Sequence, residues 1–161
     1  MPGDEVAAAI HETWRALARR EGWSMQPRLD RPYAELAEVD KEDNRAAARR
    51  IPEILALAGL GLRRAGDGVE AAVPEAELLA ILKENIERMA EAEHDGWMKH
   101  RARVGWRYGA ARDDEKLIHP AMKPYTELPE REKGKDRNSI LHYPDFAARA
   151  NYRIVRLGKN N

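Results

Sequence analysis

The chain has no cysteine and no net charge, and each of these absences excludes or disfavours a class of protein. Without cysteine there are no disulfides, no thiolate nucleophile and no thiolate zinc site. The 28 basic side chains equal the 28 acidic ones, which disfavours a general attraction to long nucleic acids or membrane surfaces. Apolar runs fall short of the roughly 20 residues that cross a bilayer, and residues 1–5 do not resemble a signal peptide. We therefore expect a soluble cytoplasmic protein.

What the sequence does contain is one motif that occurs twice. The first set of matched residues recurs 83 positions later: His11, Trp14, Gly22 and Trp23 become His94, Trp97, Gly105 and Trp106. A second set recurs 92 positions later: Arg31-Pro32-Tyr33, Arg45 and Pro52 become Lys123-Pro124-Tyr125, Arg137 and Pro144. The change in displacement indicates one insertion, which we place at residues 108–118. Such a duplication predicts two related halves.

The length of each half decides how the halves are arranged. Roughly 55–65 residues is close to the lower limit for an independent hydrophobic core, so we expect the two halves to pack on each other about a pseudo-two-fold axis. The predicted fold is mainly α with short β-strands (α+β), in one compact unit. Its parts are a first repeat over 4–62, a hairpin linker over 63–74 and a second repeat over 75–158 with a long leading helix.

Hydrophobic spacing and turn residues predict the individual elements. They are, in order, a helix from Asp4 to the stop at Gly22, a helix over about 40–58 that Pro52 bends or restarts, a hairpin around Gly66-Asp67-Gly68, one long helix from Pro74 to Gly105, a short helix near 145–151 and a strand over 152–157. The stretch between Gly105 and the short helix is predicted to be mostly loop.

The repeated aromatic residues fall into two groups. Trp14 and Trp97 lie on apolar helix stripes, where core packing is the usual role, and His11 and His94 are expected to be hydrogen-bonded helix histidines. Trp23 and Trp106 each follow a glycine that ends a helix. From there they could face a cleft and clamp a planar ring, or simply cover the join between the repeats. The five histidines show no ligand spacing, so neither a metal site nor another cofactor is expected.

Cations are concentrated around the second of these tryptophans. From Trp97 to Arg112 there is no acidic residue, and the basic ones are Lys99, His100, Arg101, Arg103, Arg107 and Arg112. This pattern suits an anionic ligand that carries an aromatic ring, such as a nucleotide. The alternative is that these cations only solvate a helix face.

The second repeat resembles a known module in an ordered series of short motifs. They are Gly105-Trp106-Arg107-Tyr108-Gly109, Arg112-Asp113-Asp114, His119-Pro120, Lys123-Pro124-Tyr125, Leu128-Pro129 and Asp136-Arg137. This series resembles the RYR repeat, which is named after ryanodine receptors and also occurs in small bacterial and phage proteins. The first repeat resembles a degenerate copy, because it lacks the Tyr-Gly and Arg-Asp-Asp segments.

The resemblance implies a tandem fold without intrinsic catalysis, in which an adenine nucleotide lies between Trp23 and Trp106. On this hypothesis Arg103, Arg107 and Arg112 contact the phosphates. Tyr108 and Asp113 supply polar recognition. With no effector domain in the chain, the protein would act as a ligand sensor for an effector protein, for example in antiviral defence signalling through a nucleotide second messenger, or would sequester the signal.

Two other functions remain open at this point. One is a protein-interaction or scaffold module that takes no small molecule. The other is a nucleotide-cleaving enzyme with His94 or His100 as acid and base, which is disfavoured because the sequence shows no paired general acid and base at a defined spacing.

Overall fold

The computed structural model describes residues 2–66, 68 and 70–158. The helices in this part of the chain are α1 (Pro2–Glu21), α2 (Glu38–Ala56), α3 (Glu75–Glu84), α4 (Ile86–Arg103), α5 (Glu130–Leu141) and α6 (Tyr143–Arg149). The strands are β1 (Leu60–Arg64), β2 (Arg107–Tyr108), β3 (Ile118–His119) and β4 (Tyr152–Arg156). The prediction of a mainly helical fold with short strands is confirmed. Among the described residues, no helix combines the length and apolar character needed to span a membrane.

The chain divides into two units, and the boundary does not follow the repeats. The first unit comprises Met1–Pro74 and His142–Asn161, and the second comprises Glu75–Leu141. In the first unit α1 packs on α2 and α6, and in the second α4 packs on α5. The buried side chains at the centre of the first unit include Ile10, Leu17, Ile51, Leu55, Leu60 and Val155, and those of the second include Leu82, Met89, Leu128 and Ile140. The predicted domain boundaries, which follow the recurring sequence motifs, differ from the boundaries of these units.

The two longer strands pair with each other. β1 runs antiparallel to β4, and Leu62 lies opposite Ile154, its counterpart 92 positions later. Ala72 forms a bridge with Val155, and the Val73 amide donates to the Ile154 carbonyl at 2.9 Å. The hairpin prediction was wrong in its pairing, because both of its arms pair with β4. Its turn residue Asp67, and also Val69, lie outside the described residues.

The single long helix predicted from Pro74 is also wrong. Instead α3 ends at Glu84, and α4 begins at Ile86 after Asn85, which has φ −110° and ψ 14°. The Asn85 side-chain amide donates to the Ile81 carbonyl at 2.9 Å, while its oxygen accepts from Arg88 at 2.7 Å. Asparagine offers the backbone such local alternatives to helix continuation, so apolar spacing that runs through it does not guarantee one helix.

The segment predicted as loop contains a further helix. α5 begins at Glu130, the counterpart of Glu38 at the start of α2. In the first repeat α2 runs through Pro52 without a break, whereas in the second repeat α5 and α6 are separate and Pro144 stands in the first turn of α6. The short helix near 145–151 and the terminal strand are close to their predicted positions.

Candidate functional site

The repeated histidines fasten a helix to the loop that follows it. His11 Nε2 lies 2.8 Å from the Arg31 carbonyl oxygen, and His94 Nε2 lies 2.7 Å from that of Lys123. Both rings are buried, with exposed fractions of 4% and 2%. The sequence interpretation of hydrogen-bonded helix histidines is therefore confirmed, and the two copies use equivalent atoms.

The second histidine also contacts an acid. His94 Nδ1 lies 3.5 Å from an oxygen of Asp136 on α5. Burial alone would lower the pKa of His94, but the hydrogen bonds to Asp136 and to the Lys123 carbonyl outweigh it, so the pKa is raised. Both ring nitrogens thus face groups that fix the ring in place.

An aromatic cluster extends from His94 along the second unit. The Trp97 ring stacks on His94 at a centroid distance of 5.5 Å, and the His119 ring meets Trp97 at 5.2 Å and Trp106 at 6.1 Å, both in edge geometry. The Arg101 guanidinium lies over both tryptophans, 5.3 Å from the Trp97 centroid and 4.9 Å from that of Trp106. Trp97, for which core packing was predicted, is therefore linked to Trp106 through the rings and guanidinium that contact both side chains.

The surroundings of His119 favour the neutral form of its ring. Burial lowers its pKa, and the neighbouring cations Arg112 and Arg101 lower it further. Its Nδ1 accepts a hydrogen bond from the Ala121 amide at 3.0 Å, which requires that nitrogen to be unprotonated.

Both Gly-Trp steps use the same backbone geometry. Gly22 and Gly105 have φ values of 77° and 102°, the left-handed conformation that commonly ends a helix. The Trp23 amide then donates to the Ala18 carbonyl at 3.1 Å, and the Trp106 amide to that of Arg101 at 2.9 Å. The Trp23 side chain is released to solvent, with 44% exposed, while Trp106 is partly exposed.

The predicted site residues other than Trp23 all lie in the second unit. Arg103 ends α4, Arg107 and Tyr108 form β2, and all three are exposed. The Tyr108 ring has the Lys123 ammonium 5.8 Å from its centroid. The exposed cations Arg103 and Arg107 therefore lie within three residues of Trp106 in the sequence.

Two predicted ligand residues already have partners in the inserted loop. The Arg112 guanidinium makes a double contact with Asp114, at 2.7 and 3.3 Å. Asp113 accepts a hydrogen bond from the Lys116 amide at 3.1 Å, and its backbone is bridged to Ile118. A ligand would compete with these contacts, so Arg103 and Arg107 are the more available cations.

Each unit also has a concave feature that sequence reasoning missed. A cavity of about 220 Å³ in the second unit lies between α4 and α5 and is lined by Glu93, His94, Trp97, His119, Ala121, Leu128, Glu132, Lys135, Asp136 and Ser139. A groove of about 460 Å³ in the first unit lies between α1 and α6, where Arg149 donates to the Thr13 hydroxyl at 3.1 Å. The cavity could not be found without α5. The contact between Arg101 and Trp97, by contrast, could have been predicted from the sequence, because Arg101 follows Trp97 by one helical turn.

Residues 73–156 match the family model of the RyR domain. The chain belongs to the RyR domain family. The matched range contains the aromatic cluster and the inserted loop of the second unit, and it extends through α6 and β4. The family indicates a protein-interaction or ligand-binding module. A degenerate RYR repeat over residues 4–62 stays a prediction, supported by the equivalent histidine and Gly-Trp contacts.

Proposed function

We propose that this RyR domain protein is a non-enzymatic module that binds an adenine nucleotide or a nucleotide second messenger in the cytoplasm. The base would stack on Trp106 and Trp23, with Arg103 and Arg107 as the first phosphate contacts. The protein would either report ligand binding to a partner protein or sequester the ligand from solution. The observation that carries the proposal is the partly exposed Trp106 ring, braced by Arg101 and flanked by exposed arginines.

The magnitudes require both stacking and charge. Stacking of a base on an aromatic side chain contributes about 1–3 kcal/mol per contact. Two such contacts therefore fall short of the ~8 kcal/mol that corresponds to micromolar affinity. Charge-assisted hydrogen bonds from arginine to phosphate oxygens supply the remainder. The proposed ligand thus needs both a ring and an anionic group.

The environment of His94 and His119 supports binding rather than turnover. His94 is buried with both ring nitrogens facing fixed partners, and Nδ1 of His119 is occupied by a backbone amide. A general acid or base must reach the proton that it transfers, and these rings are committed to the fold. We expect nucleotides incubated with the protein to be recovered unchanged.

Calorimetry and intrinsic tryptophan fluorescence against linear and cyclic nucleotides test the proposal. We expect Trp106→Ala and Trp23→Ala each to weaken binding by about fivefold to a hundredfold, because each removes a stacking contact of about 1–3 kcal/mol. Arg107→Ala should weaken it by a comparable factor, because the charge-assisted contacts supply the part of the binding energy that stacking does not. Arg131→Ala, at an exposed position on α5, is the matched control and should bind as wild type does. If both tryptophan variants fold and bind like wild type, stacking on the Gly-Trp steps is wrong.

A protein-interaction module is the second candidate. Leu79 on α3 is 41% exposed, which leaves an apolar side chain available to a partner helix. Failure of every nucleotide to bind, together with a saturable partner whose binding is lost in Leu79→Glu, would favour this function instead.

A further inference from the structure

The stacking surface proposed for the ligand already has a cation behind it. The Arg101 guanidinium carbon lies over the Trp106 ring at 4.9 Å from its centroid and over the Trp97 ring at 5.3 Å. The His119 ring meets both indoles in edge geometry, which limits how far either can rotate. Trp106 thus has one face covered by a permanent positive charge, because arginine stays protonated at any physiological pH.

A cation on one face of an indole changes what the other face can bind. The negative charge above an aromatic face attracts cations, and many sites use this attraction to hold positively charged ligands. At Trp106 the protein itself supplies the cation. A second positive ring stacked on the opposite face would lie about 3.5 Å beyond the indole plane, at ordinary van der Waals contact, and would be repelled by the guanidinium.

We propose that Arg101 is a specificity-determining residue, which makes Trp106 accept neutral planar rings and reject positively charged ones. The proposal rests on the proposed function in that the ligand ring stacks on Trp106. It adds a rule that the family match does not contain: unmodified adenine is accepted, whereas a base that carries a fixed positive charge is excluded. Arg101 acts through the indole and does not itself contact the ligand.

Methylated adenosine monophosphates separate charge from size. Methylation at N1 makes the adenine ring cationic, whereas methylation at N6 adds the same group and leaves the ring neutral. At a separation of about 8 Å across a partly exposed site, repulsion between unit charges predicts that wild type binds the N1-methyl compound about tenfold more weakly than the N6-methyl compound. In Arg101→Met this ratio should fall to about threefold or less, because only the charge behind the indole has been removed.

Two further variants define the role of the charge. Arg101→Lys keeps the cation and should retain most of the discrimination. Lys99→Met removes an exposed cation from the same helix and should leave the ratio unchanged. An undiminished ratio in Arg101→Met, or equal binding of the two compounds to wild type, would overturn the proposal.

A measurement without nucleotide distinguishes failure of this inference from failure of the proposed function. Tryptophan fluorescence is quenched by N-methylpyridinium, a cationic ring, and by neutral acrylamide, and Trp106→Phe isolates the contribution of Trp106. Arg101→Met should increase quenching by N-methylpyridinium relative to acrylamide about twofold or more, while Lys99→Met should not. If this ratio does not change, the inference is wrong even if nucleotides bind. If it changes and nucleotides do not bind, Arg101 has the proposed effect and the nucleotide proposal fails.

Discussion

Asp4 and Glu87 occupy equivalent positions in the two repeats. The glutamate side chain is longer by one methylene group, and the two residues differ in the contacts that they make. Asp4 pairs with Arg45 at 2.7 Å, and Glu87 pairs with Arg137 at 2.5 Å. Only the longer glutamate also reaches the repeated tyrosine, accepting a hydrogen bond from the Tyr125 hydroxyl at 3.0 Å. The buried hydroxyl of Tyr33 has no hydrogen-bond partner among the described residues.

This difference predicts opposite effects for two reciprocal substitutions. Glu87→Asp should leave the Tyr125 hydroxyl without its acceptor and lower the free energy of unfolding by about 1 kcal/mol. Asp4→Glu should raise the denaturation midpoint by supplying Tyr33 with an acceptor. Urea unfolding measures both effects. Destabilisation by Asp4→Glu would contradict the proposed equivalence of the two sites.

The Tyr125 hydroxyl offers a second measurement. Burial and the hydrogen bond to Glu87 raise the pKa of Tyr125 to about 12. In Glu87→Asp the pKa should fall, because the carboxylate no longer opposes formation of the phenolate so closely. Alkaline titration followed by ultraviolet absorbance of the phenolate reports this change separately from stability.

Among the elements, those with a regular apolar stripe could be predicted and those defined by polar interactions could not. The helix ends at Gly22 and Gly105 followed from glycine itself. α5 was missed because Glu130–Leu141 has a single buried apolar side chain, Ile140, so no stripe is visible. The repeat could have identified this helix, since its first residue is the counterpart of the first residue of α2. The break at Asn85 depends on one side chain, and its effect is not visible when hydrophobic spacing is averaged over a window of residues.

Two glycines of the second unit should respond oppositely to alanine. Gly134 lies inside α5 with no atom within 4 Å of an added Cβ, so Gly134→Ala should stabilise the protein by about 0.5–1 kcal/mol. At Gly109 the added Cβ would clash with Ile118 Cγ2 on β3. Gly109→Ala should therefore cost about 1–3 kcal/mol through overpacking.

Thermal unfolding compares the two variants directly, and amide hydrogen exchange locates the change. The loss of protection in Gly109→Ala should begin at β2 and β3, whose pairing sets the start of the inserted loop. A stable Gly109→Ala protein with unchanged exchange at Arg107 and Ile118 would show that this approach is not tight in solution.

At the scale of the whole molecule, the family match and the repeats cross the boundary between the two units. The matched range ends at Arg156, so α6 and β4 belong to the RyR sequence but lie in the first unit with α1, α2 and β1. Sequence comparison could identify the duplication but not this arrangement, because strand pairing depends on contacts between Leu60–Arg64 and Tyr152–Arg156 that are distant in sequence. The same dependence on contacts between distant residues explains why only part of the candidate site could be predicted. Trp106 and its arginines are local in sequence, whereas the cavity against α5 is not.

The position of β4 predicts which unit its core residues stabilise. Val155 is fully buried, lies opposite Gly61 on β1 and forms a bridge with Ala72. Val155→Ala should lower the free energy of unfolding by about 2 kcal/mol, since two buried methyl groups are lost. Val39→Ala makes the same chemical change at a site that is 58% exposed on α2, where the better helix propensity of alanine leaves stability unchanged or slightly higher. In Val155→Ala, hydrogen exchange should accelerate first at β1 and Val73 while α4 and α5 remain protected. Earlier exchange in α4 and α5 would mean that β4 stabilises the second unit, as its place in the RyR sequence alone would suggest.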